Sequence, residues 1–391
     1  MNSDDATELG SQLIETIFQD PSNIPQIQTL IKEGAPLWYQ TDDEGVSALH
    51  AACYVESIDL IKLLLENGAP WNLSLETDSI DSFGNTAADI ALSFNDEENY
   101  RLIRDAGVRT EFLLHALSSQ SETLDVLKNE DPSPFGSSSA FLESNLIFSV
   151  DKNGQEICSV ISDGETVGVM MGWERNIMQR TVDLLCSNHP SHTTGLRILN
   201  IGFGLGIIDD MFQNLNPPPI QHTIIEAHKD VLTQMRNKGW YDKPGVKILE
   251  GRWQDLTDAA LYGYDGGWDV VYIDTFAEGY EGKANKGETN WSQTLNSLTE
   301  LKNYFDILPN LLNGPEARFS FFNGLGATNS TIYDVYTQIA ELHLQEAGLS
   351  VQWSDVDLDA ELGSDKDRWG DTRKYFNQRF YRLPIATMDQ I

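Results

Sequence analysis

The chain has 391 residues and carries 60 Asp and Glu against 26 Lys and Arg, a formal net charge of −34 at pH 7. At roughly 150 residues per domain, this length predicts two or three domains. The shortage of cations argues against a protein that binds nucleic acid or an anionic membrane, because both are contacted through clustered Lys and Arg. The acidic field favours a basic protein partner, although solubility alone would also explain the charge.

The three cysteines, Cys53, Cys158 and Cys186, are too few and too scattered for a disulfide framework. They indicate a reducing compartment. The first residues are acidic and polar, without the features of a signal peptide, and no run of 18 apolar residues could span a membrane. We therefore expect a soluble protein of the cytoplasm, with the nucleus as a second location.

Residues 1–117 carry a pattern typical of ankyrin repeats. The segment from Gly45 to Ala52 resembles the ankyrin signature, and the segment from Gly84 to Ala91 repeats it 39 positions later. The second copy has Asp89 where the first has His50. The repeat is longer than the usual ~33 residues, which predicts an inserted loop around 73–79. We expect two or three repeats, with residues 10–33 as a degenerate first copy; an unrelated array of helical hairpins is the alternative.

Residues 118–139 are rich in Ser, Pro and acidic residues, which predicts a linker between 1–117 and a second domain at 140–391. In that domain apolar β-rich runs alternate with helical stretches, which predicts an α/β fold with a Rossmann-like seven-stranded sheet. A small hairpin is expected before it, at 141–150 and 156–161. The predicted strands of the main sheet are 197–201, 222–226, 246–250, 268–273, 318–323, 349–355 and 375–382, and the predicted helices are 174–186, 206–215, 229–238, 295–312 and 331–347.

The sharpest motif is a glycine-rich turn, Gly202-Phe203-Gly204-Leu205-Gly206-Ile207, between a predicted strand and a predicted helix. Glycines let the backbone approach a ligand closely, and a helix N-terminus offers free N–H groups. The dinucleotide fingerprint needs a small third residue where this chain has Ile207. The spacing therefore favours S-adenosylmethionine (SAM), whose methionine end carries no phosphate; a turn without a ligand is the alternative.

Four further side chains follow neighbouring strands or open a helix. Glu226 ends the strand after the turn, where an acidic residue can bind ribose hydroxyls. Trp253 follows the next strand and is placed either to stack on an adenine or to pack in the core. Asp274 ends the fourth strand, at the sheet edge where ligands bind. Glu174 opens a predicted helix, with Met178 on the same face. Alone, each of the three carboxylates is also compatible with an ordinary surface, loop or helix-capping role.

Together these motifs resemble guanidinoacetate N-methyltransferase. The matching segments are Trp173-Glu174 with Met178, the glycine turn, residues 224–226, residues 251–253 and residues 273–275. With ankyrin repeats in front, the whole chain resembles the fungal protein arginine N5-methyltransferase family. That resemblance implies a SAM-dependent methyltransferase domain that methylates the internal (δ, N5) guanidino nitrogen of an arginine in a protein.

The resemblance also implies a role for individual residues. Glu174 and Asp274 would hold the guanidinium, with Asp274 as the general base that also contacts the cofactor. The acceptor site would extend to residues 323–325. The partner would be a basic protein, with ribosomal proteins as one candidate class, engaged in part by the repeats; no metal is expected. The implied SAM contacts are Phe148 and Met178 by packing, Gly202, Phe203, Gly204, Leu205, Gly206 and Ile207 at the methionine end, Glu226, Ala227 and His228 at the ribose, and Trp253 and Gln254 at the adenine.

Three other readings stay open. A small-molecule guanidine or amine N-methyltransferase would use the same glycine turn and Glu226, but would leave the ankyrin repeats without a purpose. An ankyrin adaptor with an inactive Rossmann domain would not need Glu174 and Asp274. A dehydrogenase is disfavoured by Ile207.

Overall fold

The computed structural model describes residues 3–75, 84–118, 138–162, 165–256, 266–275, 291–359, 368–369, 372 and 374–389. Most of the expected inserted loop at 73–79 and almost all of the expected linker at 118–139 lie outside these residues. None of the helices in the described ranges is long and apolar enough to cross a membrane.

Residues 3–75 and 84–118 form three successive helix pairs. Ser47 and Thr86 begin the first helix of the second and third pairs, and each closes a capping box with the residue three positions on, His50 and Asp89 respectively. The buried faces of these two helices are rich in alanine, which lets neighbouring helices approach closely. The pairs are α1 (Ser3–Gln19) with α2 (Ile24–Lys32), α3 (Ala48–Tyr54) with α4 (Ile58–Glu66), and α5 (Ala87–Ser93) with α6 (Glu97–Ser118).

A small antiparallel sheet follows a short helix, α7 (Ser138–Glu143). It consists of β1 (Leu146–Val150), β2 (Glu156–Ser162) and β3 (Glu165–Met171), in that order. Only the first two strands were expected from the sequence, and the first was expected to begin at Phe141, which lies in α7. Pairing with β2 along residues 157–162 holds the third segment extended, so tertiary pairing overrides the local pattern.

The main sheet has the order β6-β5-β4-β7-β8-β10-β9 within the described ranges. The strands from β4 to β8 run parallel, and β10 is antiparallel to both of its neighbours. The chain enters the main sheet at β4, adds β5 and β6 on one side and then crosses over to add β7 on the other side. The order of the strands therefore reverses between β4 and β7, although these two strands are parallel. The strands are β4 (Arg197–Ile201), β5 (Gln221–Glu226), β6 (Val246–Glu250), β7 (Val270–Ile273), β8 (Arg318–Phe321), β9 (Leu349–Asp357) and β10 (Phe380–Met388).

The helices around this sheet are α8 (Arg175–Cys186), α9 (Ile207–Gln213), α10 (Lys229–Asn237), α11 (Trp291–Leu311) and α12 (Ser330–Glu346). The predicted strands and helices of this domain match these elements within a few residues, except that the last strand was placed at 375–382. Tyr375 and Phe376 instead pack in an aromatic cluster with Trp173 and Trp369. The strand itself continues through Pro384, which reads locally as a strand end.

The repeats pack directly against the second domain. Leu325 and the α12 residues Val335 and Ile339 belong to the same buried apolar cluster as the repeats. Asp89 accepts hydrogen bonds from Asn329, Ser330 and Thr331 at the start of α12 (2.7, 2.5 and 2.8 Å). The residue that departs from the ankyrin signature therefore joins the two domains.

Candidate active site

The glycine turn lies at the carboxyl ends of β4 and β7, where the order of the strands reverses. Gly202 and Gly204 have φ of 94° and 57°, which disfavours residues with a side chain. A Cβ at Gly202 would lie 2.0 Å from the Asp274 carbonyl oxygen, and one at Gly204 would lie 2.5 Å from the sulfur of Met170. The turn therefore needs glycine because it packs against the end of β7 on one side and β3 on the other.

Glu226 is buried at the end of β5 and ties two loops together. Its Oε2 accepts a hydrogen bond from the Phe203 amide at 3.0 Å, and its Oε1 accepts one from the His228 amide at 2.6 Å. Burial raises the pKa of this carboxyl group, although the backbone hydrogen bonds work in the opposite direction.

Two adjoining cavities open at this edge of the sheet, with volumes of about 810 and 710 Å³ including the solvent at their mouths. They share Met170, Gly202, Gly204, Asp274 and Thr275, so they form one cleft in two halves. We call the first the acceptor half and the second the nucleoside half. The acceptor half is also lined by Glu174, Met178, Phe203, Leu205, Ile207, Phe322 and Tyr375, and the nucleoside half by Glu226, Ala227, His228, Trp253 and Gln254.

Some expected site residues are not brought to this cleft. Phe148 lies on β1 opposite Cys158 and packs on the apolar cluster that contains Met178, but it does not line either half. Gly206 precedes α9 and shapes the turn without lining the cleft. Residues 323–325 line a separate small cavity beside the repeats, while their neighbour Phe322 faces the acceptor half.

Glu174 lies in a single 3-10 turn, Gly172–Glu174, immediately before α8 rather than in the first turn of that helix as predicted. Its side chain is buried, and Oε1 accepts a hydrogen bond from the hydroxyl group of Tyr375. Burial and then the nearby charge of Asp274 raise the pKa of Glu174 well above its usual range. The sequence analysis missed Tyr375, which is 201 positions away and carries no local motif.

Asp274 follows β7 and lines both halves of the cleft. Removal from water and then the charge of Asp209 raise the pKa of Asp274 to about 7. Asp209 is fully buried on α9, where Asn200 Nδ2 donates to its two oxygens at 2.8 and 2.9 Å and His222 Nε2 lies 3.1 Å away. The sequence analysis missed Asp209 as well.

This arrangement suits a cationic ligand in the acceptor half. Two carboxylates with raised pKa values face one space, so in the free protein the ionisation of one disfavours that of the other. A planar guanidinium would relieve this repulsion and offer N–H donors to both groups. Among the described residues, no group of three or more His, Cys, Asp or Glu side chains is arranged to hold a metal ion.

Comparisons with known proteins address both domains. A family model described as "Ankyrin repeats (3 copies)" matches residues 18–112, which confirms the predicted repeats. The protein named protein arginine N-methyltransferase 2 from Cryptococcus neoformans is 40% identical over 93% of this chain and 91% of its own length. The protein of the same name from Saccharomyces cerevisiae is 33% identical, covering 84% of this chain and 77% of that protein.

Similarity to solved structures is weaker. A putative methyltransferase from Thermoplasma acidophilum is 15% identical and has a TM-score of 0.32, covering 50% of this chain and 69% of that one. A likeness at this level supports no inference about the ligand or the reaction.

Proposed function

The chain belongs to the fungal protein arginine N-methyltransferase 2 family, and from that premise we propose that it methylates the internal (δ, N5) nitrogen of an arginine in a protein substrate. Membership makes it a SAM-dependent protein arginine methyltransferase, as the sequence resemblance predicted. The choice of the internal nitrogen is our proposal. That choice rests on the family resemblance. The observation that carries a guanidinium acceptor is the pair Glu174 and Asp274, which face one cavity beside a glycine turn and a second, adjoining cavity.

The residues of the cleft fit SAM. The turn from Gly202 to Ile207 would hold the methionine end, because its backbone comes close to the cleft and no phosphate has to be accommodated beside Ile207. Glu226 lines the nucleoside half at the end of its strand, where it would accept hydrogen bonds from the ribose hydroxyls. Ala227 and His228 complete that wall, and Trp253 and Gln254 would meet the adenine. When bound, SAM supplies an electrophilic methyl group on a sulfonium.

In the acceptor half, Glu174 would bind terminal nitrogens of the substrate guanidinium, and Asp274 would bind a terminal nitrogen with one oxygen and the internal N–H with the other. Tyr375 fixes the Glu174 carboxylate, so the plane of the guanidinium is set by a pre-oriented partner. Positive charge held at the terminal nitrogens leaves more lone-pair character on the internal nitrogen. Asp274, with a pKa of about 7, would accept the proton that this nitrogen loses as its bond to the methyl group forms.

The ankyrin repeats extend the proposal to the substrate. Such arrays present extended surfaces to other proteins, and this one is acidic, which suits a basic protein; ribosomal proteins are one candidate class. A location in the cytoplasm and nucleus is likewise a proposal, supported by the three scattered cysteines.

The proposed function is tested with methyl-labelled SAM and a basic protein fraction, using a free guanidine as the competing acceptor. We expect Asp274→Asn to lower kcat by about 10³-fold while SAM binding stays within about threefold, since the general base contributes ~10²–10⁴-fold. Asp183→Asn, an exposed carboxylate on α8, is the matched control and keeps wild-type turnover. Wild-type turnover in Asp274→Asn, or label on the free guanidine only, would overturn the proposal.

A further inference from the structure

Three exposed aromatic side chains form a row across the ankyrin repeats. Phe18 lies near the end of α1, Tyr54 ends α3 and Phe94 follows α5. Their side chains are 46%, 39% and 45% exposed, and the ring centroids of successive members are 6.3 Å apart in both steps. We call Phe18, Tyr54 and Phe94 the aromatic ladder.

Two other exposed aromatic rings, Tyr241 and Phe380, each carry an arginine of this chain. The Arg236 guanidinium lies 5.0 Å from the ring centroid of Tyr241, and Arg379 lies 5.0 Å from that of Phe380. No Lys or Arg of the described ranges lies over a ring of the ladder. Because ring faces attract cations, the rings of the ladder could each bind a cation of a partner, as Tyr241 and Phe380 bind an arginine of this chain.

The surroundings of the ladder are acidic. Each ring is followed two positions later by a carboxylate, namely Asp20, Glu56 and Asp96. The first two are exposed, and the third caps α6 through hydrogen bonds from Asn99. Residues 1–118 contain 21 Asp and Glu against 5 Lys and Arg, so a cationic partner is attracted and an anionic one is repelled.

We propose that the aromatic ladder is a docking site for an arginine- and lysine-bearing segment of the protein substrate, separate from the acceptor half of the cleft. The proposal rests on the proposed function, which supplies a protein substrate. Guanidinium groups would lie over the rings, their alkyl stems would cover apolar ring surface, and Asp20 and Glu56 would pair with the remaining charge.

The domain contacts make this docking site useful for catalysis. The repeats are fixed to the methyltransferase domain through Asp89 and through Asp334, which accepts a hydrogen bond from Tyr100 of α6 at 2.7 Å. A segment held on the ladder therefore keeps a constant position relative to the cleft. The docked part of the substrate would raise the local concentration of the arginine to be modified.

The test is a binding titration with the full chain and a fluorescein-labelled peptide of alternating arginine and glycine, followed by anisotropy at low salt. The variant replaces Phe18, Tyr54 and Phe94 by leucine, which keeps an apolar surface and removes the ring faces. We expect its Kd to rise by about tenfold, because each exposed cation–π contact is modest. The double variant Asp20→Asn/Glu56→Gln should also raise the Kd. Its loss of affinity relative to wild type should be larger at low salt than at high salt, because screening of the charges is least at low salt.

Two controls separate this site from others. Ile220→Ser removes an exposed apolar side chain of the methyltransferase domain and should leave the Kd unchanged. Asp183→Asn, which neutralises an exposed carboxylate of the same domain, should leave it within about twofold, because the peptide is held on the repeats. An unchanged Kd in the triple leucine variant, or an equal loss in Ile220→Ser or Asp183→Asn, would overturn the docking site. Because no methyl transfer is measured, that failure would leave the proposed function standing.

Discussion

Replacing Asp209 by asparagine should move the pH dependence of methylation without touching the substrate. Asp209 is buried and its charge is the second cause of the raised pKa of Asp274, after removal from water. The pKa of Asp274, about 7, lies roughly three pH units above its ordinary 3.8, and burial supplies the larger share. Removing the charge should therefore lower this pKa by about one pH unit, equivalent to ~1.4 kcal/mol. Asparagine retains an oxygen for the Asn200 amide.

The sign of the effect follows from the role of Asp274. Asp274 must be ionised to accept a proton and Glu174 to bind the guanidinium, so kcat/KM falls as the pH drops through the pKa values of this pair in the free enzyme. Asp209→Asn should move the Asp274 limb from near pH 7 to near pH 6, while the contribution of Glu174 stays in place. The assay is kcat/KM with labelled SAM between about pH 5.5 and 9, with thermal unfolding recorded at each pH.

Asp183→Asn again serves as the control, since an exposed carboxylate should leave the limb in place. An acid limb that stays near pH 7 in Asp209→Asn, or moves to higher pH, would refute this account of the electrostatics.

Two further perturbations test the acceptor half and the domain interface. Tyr375→Phe removes the hydrogen bond to Glu174, so the pKa of Glu174 should rise further. KM for the protein substrate should increase by about tenfold, while the affinity for SAM stays unchanged. An unchanged KM would show that the hydroxyl group does not orient the carboxylate. Asp89→Ala removes three hydrogen bonds to the start of α12 and also the two that Asp89 accepts from Thr86 in the capping box of α5. It should lower the free energy of unfolding by about 2–3 kcal/mol in urea denaturation, whereas the exposed control Asp43→Ala should change it by less than about 0.5 kcal/mol. Equal stability of the two variants would contradict a structural role for these hydrogen bonds.

The sequence predicted most of the methyltransferase sheet because its strands are apolar runs bounded by turn residues. It also placed Glu226 and Asp274 together, since the carboxyl ends of parallel strands meet at one edge. It failed at β3, where pairing with β2 decides the structure, and at the last strand, where Tyr375 leaves the sheet for an aromatic cluster. These outcomes depend on partners that are distant in the chain.

The two missed residues of the site were hidden for a similar reason. Asp209 stands in the first turn of α9, where an acidic residue is usually a solvated partner of the helix dipole. Its burial depends on Asn200 and His222, which come from two different strands. The replacement of His50 by Asp89 was visible in the repeat pattern, but its reason lies at Asn329, 240 positions later. Long-range contacts of this kind leave no local signal.

The central claim is tested most directly by locating the transferred methyl group. A basic protein fraction is incubated with the enzyme and isotopically methyl-labelled SAM, and the labelled peptides are fragmented in a mass spectrometer, with Asp274→Asn as the parallel control. The account predicts one added methyl on a peptide arginine, with fragments that place it on the internal nitrogen, and almost none in the control. Label confined to the terminal nitrogens would contradict the proposed grip of Glu174 and Asp274 on the guanidinium.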